Sequence, residues 1–402
     1  MLNIAILGFG IVGGGVAELL TKNAKQVSAL GGDEVNIKYI LDLRDFPDSP
    51  FANRVIHDFD IIADDDEVDC VIEAMGGSHP AYEYTIAALN SGKSVITSNK
   101  EVVARYGDEF LAAAEKNNVS YRFEAAVGGG IPVISPMISF VGQNKISEVR
   151  GILNGTTNYI LTKMFSFGAG FEESLRDAQK KGYAESNPDA DILGIDACRK
   201  IAILSSLVTG KLLPTEKIHT EGITKIRKED VSAAEKVGLK IKLLGRCIVG
   251  DDGLQVMVAP FMMGNDLPLS NVDGVYNAVE VIGDPIGSVM FYGPGAGGGA
   301  TASAMVGDLV QIMRSGRAVA QPVMKKTDAG LSSFGDFKSR HYIAFSGADK
   351  KTVEAVLGTV QVISNADELA IITAEISEVD VILAIEKLEA RGITVNSRIR
   401  LV

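Results

Sequence analysis

One short segment of the sequence combines a lysine with three acids, a set of side chains that suits proton transfer beside a bound ammonium group. Asp196 and Lys200 are four residues apart, so they share one face of a helix. Glu185 and Asp191 precede them and can converge on the same place. Two interpretations explain this spacing equally well. One is a solvent-facing ion pair, and the other is an acid–base lysine whose neighbouring carboxylates hold a substrate.

The elements that must position these side chains are two helices joined by an acidic loop. Gly182 is predicted to follow the end of the first helix, because glycine readily adopts the left-handed conformation found there. Asn187-Pro188 is predicted to cap and begin the second helix. That single helix is then expected to carry both Asp196 and Lys200.

A second polar segment, Gly151-Ile-Leu-Asn154-Gly155-Thr156-Thr157-Asn158, is predicted to be a turn from a strand into a helix. Its hydroxyl and amide side chains can cap the helix or contact a polar substrate. Thr156 is the candidate substrate contact. Capping is the interpretation that the residues alone favour.

A glycine-rich turn near the N-terminus, Gly8-Phe9-Gly10-Ile11-Val12-Gly13, follows the apolar residues 3–7 and precedes apolar residues at helical spacing. Its glycines allow a tight turn, close approach of backbone amides to a pyrophosphate, and close packing of helix on strand. This order of strand, turn and helix predicts a Rossmann-type dinucleotide site. The alternative is a glycine-rich turn that binds no ligand.

Asp42 and Arg44 bear on which nicotinamide cofactor binds. Asp42 ends a second predicted strand, residues 37–41, where a carboxylate accepts hydrogen bonds from a ribose diol and repels a 2′-phosphate. This position favours NAD. Arg44 can turn towards a phosphate instead, so NADP stays open, and ordinary surface charge explains both residues without a ligand.

Two further predicted strands, residues 70–74 and 94–97, run into Met75-Gly76-Gly77 and into Ser98-Asn99-Lys100. Open parallel sheets bind ligands at the carboxyl ends of their strands, so Gly76 and residues 97–100 should border the nicotinamide. Lys100 is either a surface charge or a catalytic group. The residues alone favour the surface charge.

The segment from Glu124 to Pro132 is predicted to be a strand that runs into the turn Gly128-Gly129-Gly130. Backbone carbonyls that turn inward at such a place suit a hard monovalent cation. A flexible domain hinge is the alternative, and the residues alone favour the hinge.

The composition indicates a globular protein of two or three domains, because 402 residues exceed what one hydrophobic core usually supports. A net charge of −12 without a basic stripe argues against a nucleic-acid partner. The apolar stretches are too short for a membrane span, and the N-terminus lacks the basic region of a signal peptide. Cys70, Cys198 and Cys247 lack zinc-site spacing, so a reducing, cytoplasmic location is expected.

Residues 178–200 match, without a break, the signature Ala-x3-Gly-aromatic-small-x2-Asn/Asp-Pro-x2-Asp-Ile-x-Gly-x-Asp-x3-Lys of the homoserine dehydrogenase family. Residues 151–161 and the glycine-rich residues 293–301 also resemble that family, and the similarity extends over residues 1 to about 320. The resemblance implies an NAD(P)-dependent oxidoreductase. Such an enzyme interconverts L-homoserine and L-aspartate 4-semialdehyde in threonine, methionine and isoleucine biosynthesis.

The resemblance also implies a role for each candidate residue. Lys200 becomes the catalytic lysine that exchanges the hydroxyl proton, and Lys100 a second one that polarises the same oxygen. The implied substrate-binding acids are Glu185, Asp191 and Asp196. The implied cofactor contacts are Phe9, Ile11, Val12, Gly76, Thr97, Lys100 and Gly297. They are added to the cofactor candidates already named, which are Gly8, Gly10, Gly13, Asp42 and Arg44. The implied ligands of a monovalent cation such as Na⁺ are the carbonyls of Glu124, Val127, Gly129 and Ile131.

The predicted fold is α/β, with a Rossmann-type doubly wound parallel sheet and a mixed α/β domain for substrate binding, catalysis and dimerisation. Residues 1–135, completed by about 295–320, are assigned to the first domain, and residues 136–294 to the second. Many family members carry Arg near the end of the second strand to hold the phosphate of NADP, and Asp42 departs from that pattern. A homodimer or homotetramer is expected.

The last segment, residues 338–402, is predicted to run strand, helix, strand, strand, helix, strand, which is the order of a ferredoxin-like module. It resembles the ACT domain that many family members carry for feedback by an amino acid. The glycine-containing turn usual before the first helix is replaced by Asp349-Lys350-Lys351-Thr352. A regulatory role and a purely assembling role therefore both stay open.

Two rival functions are weighed against the dehydrogenase. One is an amino-acid-binding regulatory protein that kept the fold and lost turnover, and the presence of both Lys100 and Lys200 argues against it. The other is a different amino-acid dehydrogenase on the same architecture. That enzyme would lack the run from Asn187-Pro188 to Lys200.

Overall fold

The computed structural model of the chain describes residues 1–250, 253–315, 322–365 and 368–402. The chain forms two compact units, and each is described by itself. The first comprises Met1–Lys145, Ala202–Thr215 and Phe291–Ala329, and the second comprises Ile146–Ile201, Glu216–Met290 and Gly330–Val402.

The strands and helices of the described residues are numbered in chain order. The strands are β1 (Leu2–Leu7), β2 (Val35–Leu41), β3 (Val55–Ile56), β4 (Cys70–Glu73), β5 (Ser94–Thr97), β6 (Tyr121–Arg122), β7 (Lys145–Ile152), β8 (His219–Thr220), β9 (Leu239–Gly250), β10 (Gly253–Gly264), β11 (Tyr276–Asp284), β12 (Gly287–Pro294), β13 (Lys338–Ser339), β14 (His341–Ser346), β15 (Val360–Asn365), β16 (Leu369–Thr373), β17 (Ile376–Ser377) and β18 (Thr394–Leu401). The helices are α1 (Ile11–Lys22), α2 (Ala24–Gly31), α3 (Asp60–Ala63), α4 (Ala81–Asn90), α5 (Lys100–Lys116), α6 (Ala125–Gly128), α7 (Ile134–Gln143), α8 (Gly155–Phe167), α9 (Phe171–Lys180), α10 (Asp189–Ile192), α11 (Ile195–Thr209), α12 (Lys228–Lys236), α13 (Gly298–Ser315), α14 (Lys350–Leu357) and α15 (Glu378–Glu389).

A parallel sheet in the order β3-β2-β1-β4-β5-β6 forms the centre of the first unit. The run Ile4-Ala5-Ile6 in β1 is completely buried, as expected of a parallel strand that is covered on both faces. The strand order reverses between β1 and β4, so a ligand crevice lies beyond their carboxyl ends. The prediction of a Rossmann-type doubly wound sheet is confirmed.

Helix α13 completes the first unit from a distant part of the chain. Ala302 and Leu309 are buried in the same core as the side chains of β1 and α1. Helix α1 approaches closely, since a Cβ on Gly15 would lie 3.3 Å from the Cβ of Ala302. The sequence assigned residues 295–320 to this role, and residues 316–320 lie outside the described part of the chain.

A mixed sheet forms the centre of the second unit, with neighbours in the order β12-β11-β7-β9-β10-β18-β14-β16-β15 and with β8 beside β10. Strand β9 is closely packed at Gly245, where an added Cβ would lie 2.7 Å from the Leu153 side chain and 3.0 Å from the Cβ of Ile201. This glycine therefore lets the end of β7 and helix α11 meet over the sheet.

The C-terminal segment has the predicted order of strands and helices, β14, α14, β15, β16, α15 and β18. Its strands lie in the order β18-β14-β16-β15, and each neighbouring pair is antiparallel. Val353 of α14 and Leu388 of α15 are buried against Ile343 and Ile371 of the sheet. The prediction of a ferredoxin-like module is confirmed, with the short pair β13 and β17 as an unpredicted addition.

The module shares its sheet with the rest of the second unit. Strand β18 runs parallel to β10, with Arg400 opposite Phe261 and Leu401 opposite Met262. The proposed domain boundaries stay a prediction. Within the described part of the chain, no helix is both long and apolar enough to cross a membrane.

Candidate active site

The glycine-rich turn of the first unit has the geometry of an anion cradle. Gly8 has a φ of +90°, which glycine adopts readily, and Gly13 packs so closely that an added Cβ would lie 1.9 Å from the carbonyl oxygen of Gly8. A Cβ on Gly10 would meet no described atom within 4 Å. No side chain of the described residues caps the start of α1 at Gly10, so its first amides are available to a pyrophosphate.

Other residues of the predicted cofactor site lie around this turn. Ile11 is 83% exposed, whereas Phe9 and Val12 pack against the core of the first unit. Gly297 has a φ of +110° in the turn that precedes α13, and a Cβ there would meet no described atom within 4 Å. The space beside Gly10 and beside Gly297 is therefore left open by the described residues.

Asp42 ties the end of β2 to the glycine turn. Its Oδ2 accepts a hydrogen bond of 2.8 Å from the Phe9 amide. Arg44 donates from its backbone N and its Nε to Oδ1, at 3.0 and 2.9 Å, and from Nη2 to Oδ2 at 3.0 Å. The Arg44 guanidinium holds the pKa of Asp42 well below its usual range. In this structure Arg44 is thus a partner of Asp42.

Glu73, at the end of β4, connects two of the predicted cofactor loops. Its Oε2 accepts from the Thr97 hydroxyl at 2.5 Å, and its Oε1 accepts from the Met75 amide at 2.7 Å. Burial raises the pKa of this fully buried carboxyl to about 7. The sequence analysis missed Glu73, although a lone acid in an otherwise apolar strand was a usable signal.

Asn99 continues this network to Lys100. Its backbone amide donates to the Thr97 hydroxyl at 2.9 Å, and its Nδ2 donates to the Gly77 carbonyl at 2.7 Å. Its Oδ1 caps helix α5, which begins at Lys100. Gly76, Thr97 and Lys100 therefore stand at the ends of adjacent strands, as the sequence predicted.

The prediction of a strand from Glu124 is wrong. The strand β6 ends at Arg122, and Glu124 directly precedes the four-residue helix α6 without a side-chain hydrogen bond to it. The cause is long-range, because the Glu124 carboxylate accepts hydrogen bonds of 2.6, 2.6 and 2.9 Å from the amides of residues 133, 134 and 135. The Glu124 amide donates to buried Asp308, whose pKa is raised to about 7 by burial and by the Glu124 charge.

Residues 124–131 can still offer carbonyl oxygens to a cation. Gly129 has a φ of +58°, and its carbonyl and that of Ile131 accept no hydrogen bond from any described residue. Val127 lies within α6. Among the described residues, no group of three or more His, Cys, Asp or Glu side chains is arranged to bind a metal.

Lys200, Asp196, Asp191 and Asn154 form one cluster in the second unit. The Lys200 ammonium lies 2.9 Å from Asp196 Oδ2 and donates to the Leu153 carbonyl at 2.7 Å. The Asn154 amide donates to Asp191 Oδ1 at 2.7 Å and to Asp196 Oδ2 at 3.0 Å. Lys200 and Asp196 are buried, and burial raises the pKa of Asp191. A solvent-facing ion pair is thus excluded for Lys200.

Asn154 has two roles, only one of which the sequence predicted. It caps α8 by accepting from the Thr157 amide at 2.9 Å, as expected. Its bridge between the two acids was missed, because nothing local to residue 154 points to residues 191 and 196. Thr156 begins the same helix and donates to the Tyr183 carbonyl at 2.6 Å.

Glu185 is the candidate acid that the structure does not draw into the cluster. The Glu185 side chain is exposed. Its backbone carbonyl accepts a hydrogen bond of 3.1 Å from the Gln179 side chain. The Gly182 prediction is confirmed, since this residue has a φ of +74° just after α9.

The prediction of a single helix starting at Asn187-Pro188 is wrong. Pro188 precedes the short helix α10, and Asn187 accepts from the Asp189 amide at 3.2 Å. The helical conformation is then interrupted at Gly194, which has a φ of +82°, and α11 starts at Ile195. Asp191 and Asp196 therefore lie on different helices and meet through Asn154.

Comparisons with known proteins agree with this geometry. Family models described as homoserine dehydrogenase and as homoserine dehydrogenase, NAD binding domain, match residues 132–310 and 8–124. A homoserine dehydrogenase of Synechocystis sp. is 40% identical over 368 residues, which cover 88% of this chain and 85% of the relative.

Solved structures give the same result. A homoserine dehydrogenase from Thiobacillus denitrificans superposes with a TM-score of 0.93 at 34% identity, over 100% of this chain and 98% of that one. A hyperthermophilic archaeal homoserine dehydrogenase in complex with NADPH superposes with a TM-score of 0.66 at 28% identity, over 77% and 97% of the two chains.

Proposed function

The chain belongs to the homoserine dehydrogenase family, and we propose that Lys200 is the residue that exchanges the proton of the substrate hydroxyl. The protein is an NAD(P)-dependent oxidoreductase that interconverts L-homoserine and L-aspartate 4-semialdehyde. Every hydride transferred from the alcohol must be accompanied by loss of its proton, so the reaction needs a proton acceptor. The nicotinamide cofactor, when bound, accepts the hydride.

The observation that carries this proposal is the position of the Lys200 ammonium between Asp196 and the Leu153 carbonyl. These two acceptors use two of its three donor sites and fix its orientation. The remaining site is available to a substrate oxygen. In the oxidative direction the neutral amine of Lys200, whose two N–H groups face these acceptors, takes the hydroxyl proton on its lone pair, and in reduction the resulting ammonium returns that proton.

Asp191 and Asp196 bind the substrate ammonium in this proposal, with Glu185 at the rim and Thr156 as a polar contact. The supporting observation is electrostatic. Asp191 and Asp196 carry two potential negative charges, which can balance a bound ammonium together with the positive charge that Lys200 gains when it takes the hydroxyl proton. The raised pKa of Asp191 agrees with a partly buried carboxyl that gains from such a partner.

Lys100 is proposed as a second catalytic lysine that polarises the substrate oxygen. Its support is its place at the start of α5, beyond Thr97 and Asn99, where the carboxyl ends of parallel strands bind ligands.

Replacement of Lys200 by Ala tests the central assignment. We expect turnover to fall by about 10²–10⁴-fold, because the proton acceptor is lost, while the KM for the nicotinamide cofactor stays within about twofold. The measurement is the steady-state absorbance change of the nicotinamide with homoserine as substrate.

Lys242→Met is the matched control, since Lys242 is also buried and also donates to a carboxylate, Asp273, and to a carbonyl, Val272. A general cost of removing a buried lysine would lower turnover equally in both variants. If Lys200→Ala keeps more than about half of wild-type turnover, the assignment is wrong.

NAD is proposed as the preferred cofactor. The support is Asp42, whose carboxylate stands at the end of β2 and would repel a 2′-phosphate. Arg44, the residue that could favour NADP, is engaged by Asp42 through three hydrogen bonds. A 2′-phosphate would have to separate this pair.

A monovalent cation such as Na⁺ is proposed at the carbonyls of Glu124, Val127, Gly129 and Ile131. The support is the pair of carbonyls at Gly129 and Ile131 that accept no hydrogen bond from the described residues. A cation there would fix the loop between α6 and α7 and would take no part in hydride or proton transfer.

The C-terminal module is proposed to assemble subunits into a homodimer or homotetramer rather than to bind an amino acid. Asp349 caps α14 by accepting from the Thr352 amide at 2.9 Å, so a side chain already occupies the helix end at which an effector carboxylate would bind. Val379, Ile382 and Leu383 form an exposed apolar face on α15. We further propose a cytoplasmic biosynthetic enzyme without nucleic-acid or membrane partners.

A further inference from the structure

The segment His219–Ile223 joins two parts of the second unit that are distant in sequence. It begins as strand β8, which pairs with β10, and the Glu221 amide continues this contact by donating to the Val258 carbonyl at 2.7 Å. One side of the segment contacts the junction of α10 and α11, and the other side contacts the C-terminal strand β18.

On the substrate side, the segment is packed against backbone. The Ile223 amide donates to the carbonyl of Ile192, the last residue of α10, at 2.9 Å. A Cβ on Gly222 would lie 2.0 Å from that same carbonyl oxygen and 2.6 Å from the Cα of Leu193. Gly194, which separates the two helices, packs against Thr220 and the Glu221 carbonyl. Because these contacts are so close, a shift of the segment would also move α10.

On the module side, the segment is held by a buried ion-pair network. Arg400 of β18 donates from Nη1 and Nη2 to the two carboxylate oxygens of Glu221, at 2.9 and 2.8 Å. The same guanidinium donates to Glu378 at 2.5 and 3.0 Å. Arg400 is 1% exposed and Glu221 is partly exposed, and the two parallel hydrogen bonds fix the direction in which Arg400 holds Glu221.

His219 adds a second attachment at the same place. Its Nε2 lies 2.6 Å from Glu221 Oε1, and its ring stacks on Phe334 with centroids 3.5 Å apart. The Arg400 guanidinium lies 5.4 Å from the centre of the same Phe334 ring. Glu221 is therefore held by Arg400 of β18 and by His219 of its own segment, and both of these side chains contact Phe334.

We propose that the C-terminal module positions the substrate-binding acids through this segment, with Arg400 and Glu221 as positioning residues for Asp191 and Asp196. The inference rests on the proposed role of these acids in binding the homoserine ammonium. Arg400 sets the place of Glu221, Gly222 and Ile223 transmit it to Ile192, and Ile192 is the residue next to Asp191. The module thus contributes to homoserine binding without touching homoserine.

Arg400→Lys tests the module end of this path. A lysine keeps the positive charge but cannot hold Glu221 through two parallel hydrogen bonds. We expect the KM for homoserine to rise roughly threefold to thirtyfold, while the KM for the nicotinamide cofactor is unchanged. Arg398→Lys is the matched control, because Arg398 lies on the same strand and donates to Glu378 at 2.9 Å but is 3.8 Å from Glu221.

Gly222→Ala tests the substrate end. The added Cβ must displace Ile192, so we expect the KM for homoserine to rise about tenfold to a hundredfold. Gly170→Ala is the control, since a Cβ at Gly170 would meet no described atom within 4 Å. All variants are assayed well below the midpoints of their thermal unfolding. If Gly222→Ala does not fold, the comparison of Arg400→Lys with Arg398→Lys decides the question.

Equal KM values for homoserine in Arg400→Lys and Arg398→Lys would overturn the proposal. Asp191→Ala separates this failure from a failure of the proposed substrate site. If Asp191→Ala raises the KM for homoserine and the two arginine variants behave alike, the coupling is wrong. If only Arg400→Lys raises that KM, the assignment of Asp191 is wrong and the coupling stands.

Discussion

At the scale of single residues, the candidate site depends on donors that are shared between acceptors. The Asn154 amide bridges Asp191 and Asp196, and the Lys200 ammonium is shared between Asp196 and the Leu153 carbonyl. Asp191 is partly buried and Asp196 is buried, and two carboxylates that share one amide donor would repel each other without it. Asn154 is therefore expected to matter for catalysis as well as for capping.

Asn154→Ala is predicted to lower kcat/KM for homoserine by about tenfold or more, since leaving a charged acceptor without its donor costs roughly 1.5–3 kcal/mol. The measurement is steady-state kinetics together with thermal unfolding. Ser377→Ala, which removes the cap of α15 in the same unit, is the control for the loss of a cap. An equal fall in kcat/KM in both variants would leave Asn154 with a capping role only.

Asp42 is predicted to set a preference for NAD, seen as a higher kcat/KM for NAD than for NADP in the wild-type protein. In Asp42→Ala that ratio should shrink by about tenfold, because the 2′-phosphate no longer meets a carboxylate. Asp45→Ala, which removes an exposed carboxylate three positions along the chain, should leave the ratio unchanged. A wild-type KM clearly lower for NADP would show that Arg44 governs the site.

At the scale of secondary-structure elements, one buried carboxyl joins the ends of neighbouring strands. Glu73 at the end of β4 holds Thr97 at the end of β5 and the Met75 amide of its own loop. Because burial favours the neutral form, its pKa rises from the ordinary value of 4.5 to about 7. A position that fixes two of the predicted cofactor loops is thus also sensitive to pH.

The contribution of Glu73 to the free energy of unfolding is predicted to decrease as the pH rises from about 5 to about 8. Between the unfolded and folded pKa values the native protein keeps a proton that the unfolded chain has released, so the stabilisation present below pH 4.5 is lost as the pH passes about 7. The full change corresponds to roughly 3 kcal/mol for Glu73. Asp308, with its pKa also raised to about 7, contributes in the same direction.

Glu73→Gln should flatten this pH dependence, measured as the unfolding midpoint in denaturant between pH 5 and pH 8. Glu115→Gln, at an exposed position of α5, is the matched control and should follow the wild-type curve. Identical curves for Glu73→Gln and wild type would mean that Glu73 keeps its ordinary pKa in the folded protein.

At the scale of the whole molecule, the C-terminal module is continuous with the second unit through the pairing of β18 with β10. Its first helix is capped by Asp349 instead of presenting free amides. These two features agree with the positioning and assembling roles proposed for the module.

Threonine at millimolar concentration is predicted to leave the activity of the intact protein unchanged. The reason is that the Asp349 carboxylate already occupies the start of α14, where the carboxylate of threonine would have to bind. The measurement is a titration of the initial rate of homoserine oxidation. Asp349→Gly, which frees the helix end, is the informative comparison. A saturable loss of most wild-type activity would contradict the assembling role.

The sequence by itself determined the features whose physical cause is local. The turn from Gly8 to Gly13 is readable because only glycine tolerates the φ of Gly8 and the closeness of Gly13 to the Gly8 carbonyl. The place of Asp42 and Lys100 follows from strand ends, since apolar runs mark where parallel strands stop. The βαββαβ order of the module was predictable for the same reason.

Only the tertiary structure decided which distant groups share a hydrogen bond. Glu124 reaches the amides of α7, Asn154 reaches Asp191 and Asp196, and Arg400 reaches Glu221, 179 positions away. Such partners leave no periodic pattern in the sequence, because a buried polar group forms its hydrogen bonds with whichever segment the fold brings beside it. The break of the predicted helix at Gly194 belongs here too, since the residues packed against that turn, Thr220, Glu221 and Val258, are distant in sequence.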